Sequence, residues 1–241
     1  MISGVFSTLG AKSANERRLE IISNNIANSV TPGYKASRPV FSAVTLDEGL
    51  EPDQLHPTNV NISDYYIHFS DAPLVETGGR LDLAIEGNGF FVVSTPNGNM
   101  YTRNGQFTLS KDKKLVTQDG NPVFGESGSE IVIDGKEITV EIDGSISVDK
   151  TRVDKLKIVD FKNKTGLQTA GRSLFVNTNQ SNDETTPENV SVRQGFYEAS
   201  NVDVVKEMIE LIVAIRAYES CTKADELANE SLTKLIDAGR I

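Results

Sequence analysis

Residues 21–35 read IISNNIANSVTPGYK, and the stretch combines a helix pattern with residues that oppose it. Ile2, Val5 and Leu9, then Leu19, Ile22 and Ile26, fall at three- and four-residue steps. That is the spacing of one helix face, over about residues 3–30. Asn24, Asn25 and Asn28 interrupt this face with amides that compete for backbone groups and disfavour a helix interior. Thr31-Pro32-Gly33 then stops it, because the residue before proline is pushed out of the α region and glycine supplies an unusual turn. Lys12, Glu16 and Ser23 also break the apolar seam, so the helix reads as conditional on partners. The asparagines need a reason beyond local propensity.

A second helix is predicted at the other end, over about residues 202–237. Val205, Met208, Leu211, Ile212, Ile215 and Tyr218 share a face, and Ala224, Leu227, Ala228, Leu232 and Leu235 continue it after a shift of register. Between the helices, six Asn-Gly or Asp-Gly pairs punctuate short β-branched and aromatic runs: Asn88-Gly89, Asn97-Gly98, Asn104-Gly105, Asp119-Gly120, Asp134-Gly135 and Asp143-Gly144. Such pairs accept the positive φ of tight hairpins, so the spacing predicts a meander of short antiparallel strands from Leu81 to about Val176. Residues 36–80, with Pro39, Pro52, Pro57 and Pro73, read as an extended connector with one strand at Tyr65–Phe69. The expected fold is mainly β with α-helical termini. Its segments are an N-terminal helix in 1–35, the connector 36–80, an inserted antiparallel β domain 81–198 and a C-terminal helix in 199–241.

Composition narrows the chemistry. With 38% hydrophobic and 24% charged residues the chain is an ordinary globular one. A net charge of −10 leaves no clustered cations to neutralise phosphates, which argues against nucleic-acid binding. A single cysteine, Cys221, excludes an internal disulfide, and His56 and His68 stand too far apart for a metal cluster. Lys12, Glu16, Arg17 and Arg18 leave no apolar run for a secretory signal, and no stretch is apolar enough to insert in a membrane.

No motif announces a reaction. The glycines of EGNGFF (86–91) lack the strand-to-helix setting of a phosphate cradle and read as hairpin punctuation. Acid pairs such as Asp82 with Glu86 or Asp183 with Glu184 arise by chance among 34 carboxylates. His68, near Tyr66 and Phe69, reads as a partly buried strand histidine or a surface residue, and Cys221 as a small packing residue. Tyr101 and Phe107 read as cross-strand packing and Arg103 as an exposed charge. No catalytic, cofactor-binding or metal-binding residue is expected, and no cofactor.

Three stretches carry a resemblance. SNNIANSVTPGYK (23–35) resembles the N-terminal signature of the flagellar rod and hook family. LDLAIEGNGFFVV (81–93) and YTRNGQFTLSKDKKLVTQDGNPVFG (101–125) are similar to its β-domain motifs, and QGFYEASNVDVVKEMIELIVAIRAYESCTKA (194–224) to its closing segment. The segment 120–134 and the absence of a long insertion are most similar to the proximal-rod members, with the distal-rod members as the alternative reading. The resemblance implies a structural, non-enzymatic subunit of the bacterial flagellar basal body, in the part of the rod that spans the periplasm. It would leave the cell through the flagellar type III export apparatus without a cleaved signal peptide, and assemble with itself and other rod proteins into an axial tube that transmits torque and serves as an export channel.

Membership also implies that the terminal helices pair as a coiled coil and contact neighbouring subunits. Leu19, Ile22, Ile26, Leu211, Ile215, Tyr218, Leu227 and Leu232 are then expected as helix-pair or intersubunit packing positions, with Arg216 and Glu219 making polar contacts nearby. Asn24, Asn25 and Asn28 would find hydrogen-bond partners between chains and not within one. A secreted β-rich binding module, whose helices belong to its own core, is the competing class. Amide bonds at about 0.5–1.5 kcal/mol each would favour one assembly register. Asn24→Ala combined with Asn28→Ala is therefore expected to impair polymerisation and motility; unchanged swimming and normal rods would remove the idea.

Overall fold

The structure, a computed structural model, describes residues 2–44, 59–171, 173–179 and 181–238. His56, Pro52 and Pro57 of the sequence reading lie outside them. The chain is mainly β with one long helix towards each end: α1 is Ile2–Ala27 and α2 is Val204–Ala238. Between them run β1 (Ser37–Val44), β2 (Asn59–Ile67), β3 (Leu74–Glu76), β4 (Leu83–Glu86), β5 (Phe90–Thr95) and β6 (Gly98–Thr102). Next come β7 (Phe107–Leu109), β8 (Leu115–Thr117), β9 (Ile138–Val140), β10 (Ser145–Val148), β11 (Thr151–Lys155) and β12 (Ile158–Phe161). The last are β13 (Leu167–Thr169), β14 (Leu174–Asn177), β15 (Glu184–Thr185), β16 (Ser191–Gln194) and β17 (Phe196–Glu198).

Two compact units divide the chain. One comprises the described parts of Met1–Ala27, Ser37–Tyr66 and Asp203–Ile241; the other comprises Asn28–Ala36 and Ile67–Val202. The chain passes between them at 27/28, 36/37, 66/67 and 202/203. The first unit holds both helices and the β1–β2 pair. The second holds the remaining strands and, with them, the segment that follows α1.

The β unit is built around β5. Its sequence Phe90-Phe91-Val92-Val93 is a continuous apolar run with no polar alternate, the pattern of a strand covered on both faces. Phe90 and Val92 enter one core with Tyr101, Val159, Phe161, Leu167 and Phe175, whereas Phe91 and Val93 enter another with Leu83, Phe107, Leu115, Val123, Ile131 and Ile146. Rings meet edge to face on both sides, Phe90 with Phe69 at 5.3 Å and Phe91 with Phe107 at 5.1 Å. This strand lies inside a six-stranded sheet of order β13-β14-β6-β5-β12-β15.

The order is not the simple meander that the turn spacing predicts. Asn97-Gly98 and Asp143-Gly144 do join paired antiparallel strands, β5 to β6 and β9 to β10. Asn88-Gly89 and Asn104-Gly105 instead carry the chain between strands that are not partners, because β4 pairs with β16 and β7 with β8. Gly105 is there for close approach: an added Cβ would lie 1.6 Å from the Leu83 carbonyl oxygen, and Leu83 N–H donates to the Gly105 oxygen at 2.9 Å. Ile131 and Ile133 are buried outside any named strand, tied by backbone bonds from Leu115 N to Ile131 O and from Ile133 N to Lys113 O.

Tyr101 shows how this core treats polar atoms. Its ring packs on Phe161 at 4.7 Å, and its hydroxyl donates to Glu184 Oε1 at 2.8 Å. Burial first, then the Glu184 hydrogen bond and charge, hold the phenol protonated well above its ordinary range. A tyrosine in the unfolded chain ionises near pH ~10, so above that pH the folded state keeps a proton that the unfolded state has lost. The stabilisation is complete below that pH and declines as pH rises, by up to about 1.4 kcal/mol per pH unit. Urea unfolding across pH 9–11 is expected to show this slope in the wild type and a flatter one in Tyr101→Phe.

Candidate functional site

In the first unit α1 and α2 lie side by side and antiparallel. Asn25 meets Glu207, Arg18 pairs with Glu210, Asn15 reaches the Cys221 sulfur at 3.9 Å, and the Lys12 ammonium sits 5.5 Å from the Tyr218 ring centre. Positions on α2 rise as positions on α1 fall. Helix α2 is capped at its start by Asp203, whose Oδ1 accepts from Lys206 N at 3.1 Å.

The inner seam is narrow and rich in small residues. On α2 it follows seven-residue steps through Glu207, Ala214, Cys221 and Ala228, with Ala214 fully buried and Cys221 and Ala228 half-buried. Leu211 and Tyr218 are half-buried beside it. On α1, Ala14, Ile21, Ile22 and Asn25 are buried, and Leu19 and Ile26 are half-buried; Asn28, after the end of the helix, is half-buried as well. Asn24 is exposed.

The outer face of α2 is the unusual one. Val205, Met208, Ile209, Ile212, Val213 and Ile215 are each between 41% and 69% exposed within three turns of helix. Farther along the helix the outward positions become polar, with Arg216, Glu219, Lys223 and Glu226 exposed and Leu227 the apolar exception. Of the expected packing positions, the structure places Leu19, Ile22, Ile26, Leu211 and Tyr218 against the pair and leaves Ile215 and Leu227 facing out. Leu232 lies on α2, with its side chain outside the described residues. Phe41 of β1, also exposed, borders a groove of about 260 Å³ lined by Arg18, Ile21, Arg38, Lys206 and Glu210.

Asn25 corrects one expectation. Its amide is satisfied inside the chain: Nδ2 donates to Ser37 O and Oδ1 accepts from Ser37 N, both at 2.9 Å, and Nδ2 also reaches Glu207 Oε2 at 3.2 Å. The side chain thus imitates a neighbouring β-strand for Ser37 and is fully buried in doing so. Glu207, likewise fully buried, accepts a charged hydrogen bond from Arg38 Nη1 at 2.6 Å.

The second unit holds the chain that follows α1. Gly33, at φ +68°, donates its N–H to Glu198 O at 2.7 Å, and an added Cβ would lie 2.2 Å from Asn104 N. Lys35 Nζ donates to Glu198 Oε1 at 2.6 Å and to Ser70 O at 2.5 Å. Arg103 donates to Glu198 Oε2, Ile85 O and Gly87 O at 3.4, 3.3 and 2.7 Å. Arg103, expected as an exposed charge, is therefore a buried one at 4% exposure. Burial pushes the Lys35 ammonium below its ordinary value, against the opposing pull of Glu198.

Sequence reading missed Glu207, Arg38, Lys35 and Glu198. The seven-residue recurrence of Glu207 with Ala214 was a usable signal; the other three carry none outside their partners. His68 is exposed, just beyond β2, and its carbonyl accepts from Asn201 Nδ2 at 2.7 Å.

This is a packing surface built on helices, and its chemistry is that of a structural subunit. Comparison with known proteins agrees. The family model described as "Flagella basal body rod protein" matches residues 8–35, "Flagellar hook protein FlgE/F/G D1 domain" matches 84–148, and "Flagellar basal body rod FlgEFG protein C-terminal" matches 193–238. The chain is 32% identical to the flagellar basal-body rod protein FlgF of Rhizobium meliloti strain 1021, over 98% of each chain. It is 35% identical to FlgF of Caulobacter vibrioides and 31% identical to FlgG of Bacillus subtilis strain 168, in both cases over the whole of each chain. The chain belongs to the flagellar basal-body rod protein family. It is a structural component of the basal-body rod and not an enzyme.

Glu198 is the side chain on which the segment after α1 converges. Removing one partner of a buried ion pair leaves the others uncompensated, so Glu198→Ala is expected to lower the stability of the β unit by about 3–5 kcal/mol. Denaturant unfolding followed by the fluorescence of the tyrosines checks it.

Proposed function

We propose that this chain polymerises through its terminal helices into the proximal part of the rod, contributing to the axial tube that transmits torque and carries export traffic. The observation that carries the proposal is the apolar outer face of α2 from Val205 to Ile215, which a solitary chain would leave in water. An occupant of matching chemistry is a helix of a second copy or of another rod protein. Contacts that repeat head to tail without closing build an open helical filament.

The α1–α2 pair would act as a coiled coil, its seven-residue seam turned inward and its outer stripe offered to neighbours. Residues 1–35 and 199–241 would then form the axial helical domain, residues 36–80 the connector and 81–198 the outer β domain. Ile215 and Leu227 are the contact positions of the expected set that face away from the seam, with Arg216 and Glu219 nearby on the helix; Leu232 would join them as a contact position, and Asn24 and Asn28 would add polar contacts between subunits. Export through the flagellar type III apparatus, unfolded and without a cleaved signal peptide, fits a chain whose outer helical face would gain its burial only on assembly.

Placement in the proximal rod is supported by the match to FlgF relatives over 98% and 100% of this chain. A distal-rod position is the second reading, favoured by FlgG relatives of similar identity, such as that of Agrobacterium fabrum at 35% over 90% of this chain.

The test replaces Met208 and Ile212 by glutamate together, in the chromosome of a motile host. Both residues are half-exposed, so the purified chain is expected to keep its helical circular dichroism, while soft-agar motility falls to that of a rodless strain. Full motility with the double substitution would overturn the proposal.

A further inference from the structure

We infer that Glu207 fixes the register of α2 on α1, as a positioning residue acting through Asn25 and Arg38. The inference concerns the helix pair of a single chain and does not depend on what the outer face binds.

Apolar packing along the inner seam discriminates poorly between registers. Ala14 faces a partner whose seam residues, seven apart, are Ala214, Cys221 and Ala228. Sliding α2 by seven residues replaces one small side chain by another and Leu211 by Tyr218. Such seams accept more than one alignment. Arg18 with Glu210 and Lys12 with Tyr218 are partly exposed, and surface pairs of this kind contribute little.

Glu207 is different in kind. It occupies a seam position with 0% exposure, and its carboxylate is held by Asn25 Nδ2 at 3.2 Å and Arg38 Nη1 at 2.6 Å. Asn25 is itself oriented by both backbone groups of Ser37. A slide of seven residues brings Ala214 to the place of Glu207. The Arg38 guanidinium then loses this acceptor, the Asn25 amide keeps Ser37 O but loses the carboxylate, and Glu207 moves past Ala27, the last residue of α1. Only one register satisfies all three polar groups. A buried polar residue at such a position selects alignment, at some loss of stability relative to an apolar one.

Cys221 supplies the reporter, because it is the only cysteine in the chain. In the observed register it lies beside Asn15, with 3.9 Å between Asn15 Nδ2 and the sulfur. In the shifted register it would lie beside Ile22, seven residues farther along α1. Asn15→Cys and Ile22→Cys are made separately in the full chain, oxidised at high dilution with diamide, and the intramolecular disulfide is quantified by mass mapping. With Glu207 present, the Asn15→Cys yield is expected to exceed that of Ile22→Cys by about tenfold, as loss of the charged Arg38–Glu207 hydrogen bond in the alternative register would require.

Adding Glu207→Ala to each reporter is expected to reduce that ratio to about twofold or less, with helical circular dichroism retained. A ratio that stays near tenfold in the folded variant would overturn the inference. If Glu207→Ala loses its helices, the double variant Arg38→Met, Glu207→Leu decides, since it removes both charged partners while Asn25 keeps its two bonds to Ser37. A folded double variant without register preference supports the inference. One that keeps the preference, or that cannot form the helix pair, overturns it.

Discussion

The carboxylate of Glu198 is the interaction on which the path of the chain depends. It is nearly inaccessible to solvent, yet it accepts from Lys35, Arg103 and the backbone N–H of Ala72, while its own carbonyl accepts from Gly33. An ionised group in such a place is tolerable only when its partners are charged and its lone pairs are filled. The partners come from three separate stretches of chain, so none can be displaced without leaving the others exposed to that penalty. Asn201 continues the arrangement, accepting from Ala36 N at 2.7 Å and donating to His68 O and Ser70 Oγ. The stretch Thr31–Ala36 therefore follows a course in the β unit set by the bonds of Gly33, Lys35 and Ala36, which explains why the apolar pattern ends so sharply at Pro32.

The helical unit follows the opposite logic. The α2 side of its inner seam is made of alanines, one cysteine and a carboxylate, and six larger apolar side chains of α2, from Val205 to Ile215, point outward. Helices gain most of their stability from burying an apolar face, not from intrinsic propensity. A helix pair that keeps its broadest apolar stripe in water is stable enough to have a shape and incomplete enough to favour neighbours. The β unit has no such deficit, since β5 is covered on both faces and its two cores are closed by aromatic and branched residues. Folding and assembly are thereby assigned to different parts of one sequence.

The elements most legible in the sequence were those governed by a single period or a single turn. The turn pairs Asn97-Gly98 and Asp143-Gly144 do join paired antiparallel strands, and α2 begins and ends within a few residues of the reading. What escaped was long-range pairing. Nothing local says that β4 must find β16, or that Gly105 is present for the Leu83 carbonyl and not for a turn. The direction of the apolar face of α2 stayed open between helix pair and neighbouring subunit for a related reason: periodicity shows that apolar residues share a face without saying which face meets the partner helix. Small residues decided that, since Ala214 and Cys221 allow close approach where Ile212 and Ile215 would not. Arg103 and Lys35 were opaque because a cation reads as exposed until its carboxylate is found.

Lys35 and Arg38 stand on either side of the point where the chain passes from one unit to the other, between Ala36 and Ser37. Lys35 is bound to Glu198 and Arg38 to Glu207, two carboxylates nine positions apart in the sequence that flank the crossing at 202/203. The chemistry at the two places differs. The Lys35 ammonium is a compact charge that satisfies a carboxylate and the Ser70 carbonyl within one pocket, whereas the planar Arg38 guanidinium reaches Glu207 while its side chain remains partly solvated. Each charged contact is thus internal to one unit, Lys35–Glu198 to the β unit and Arg38–Glu207 to the helical unit. Within either unit, a shift of the chain by one residue would bury a lysine or glutamate without its partner, a penalty that arises separately in each.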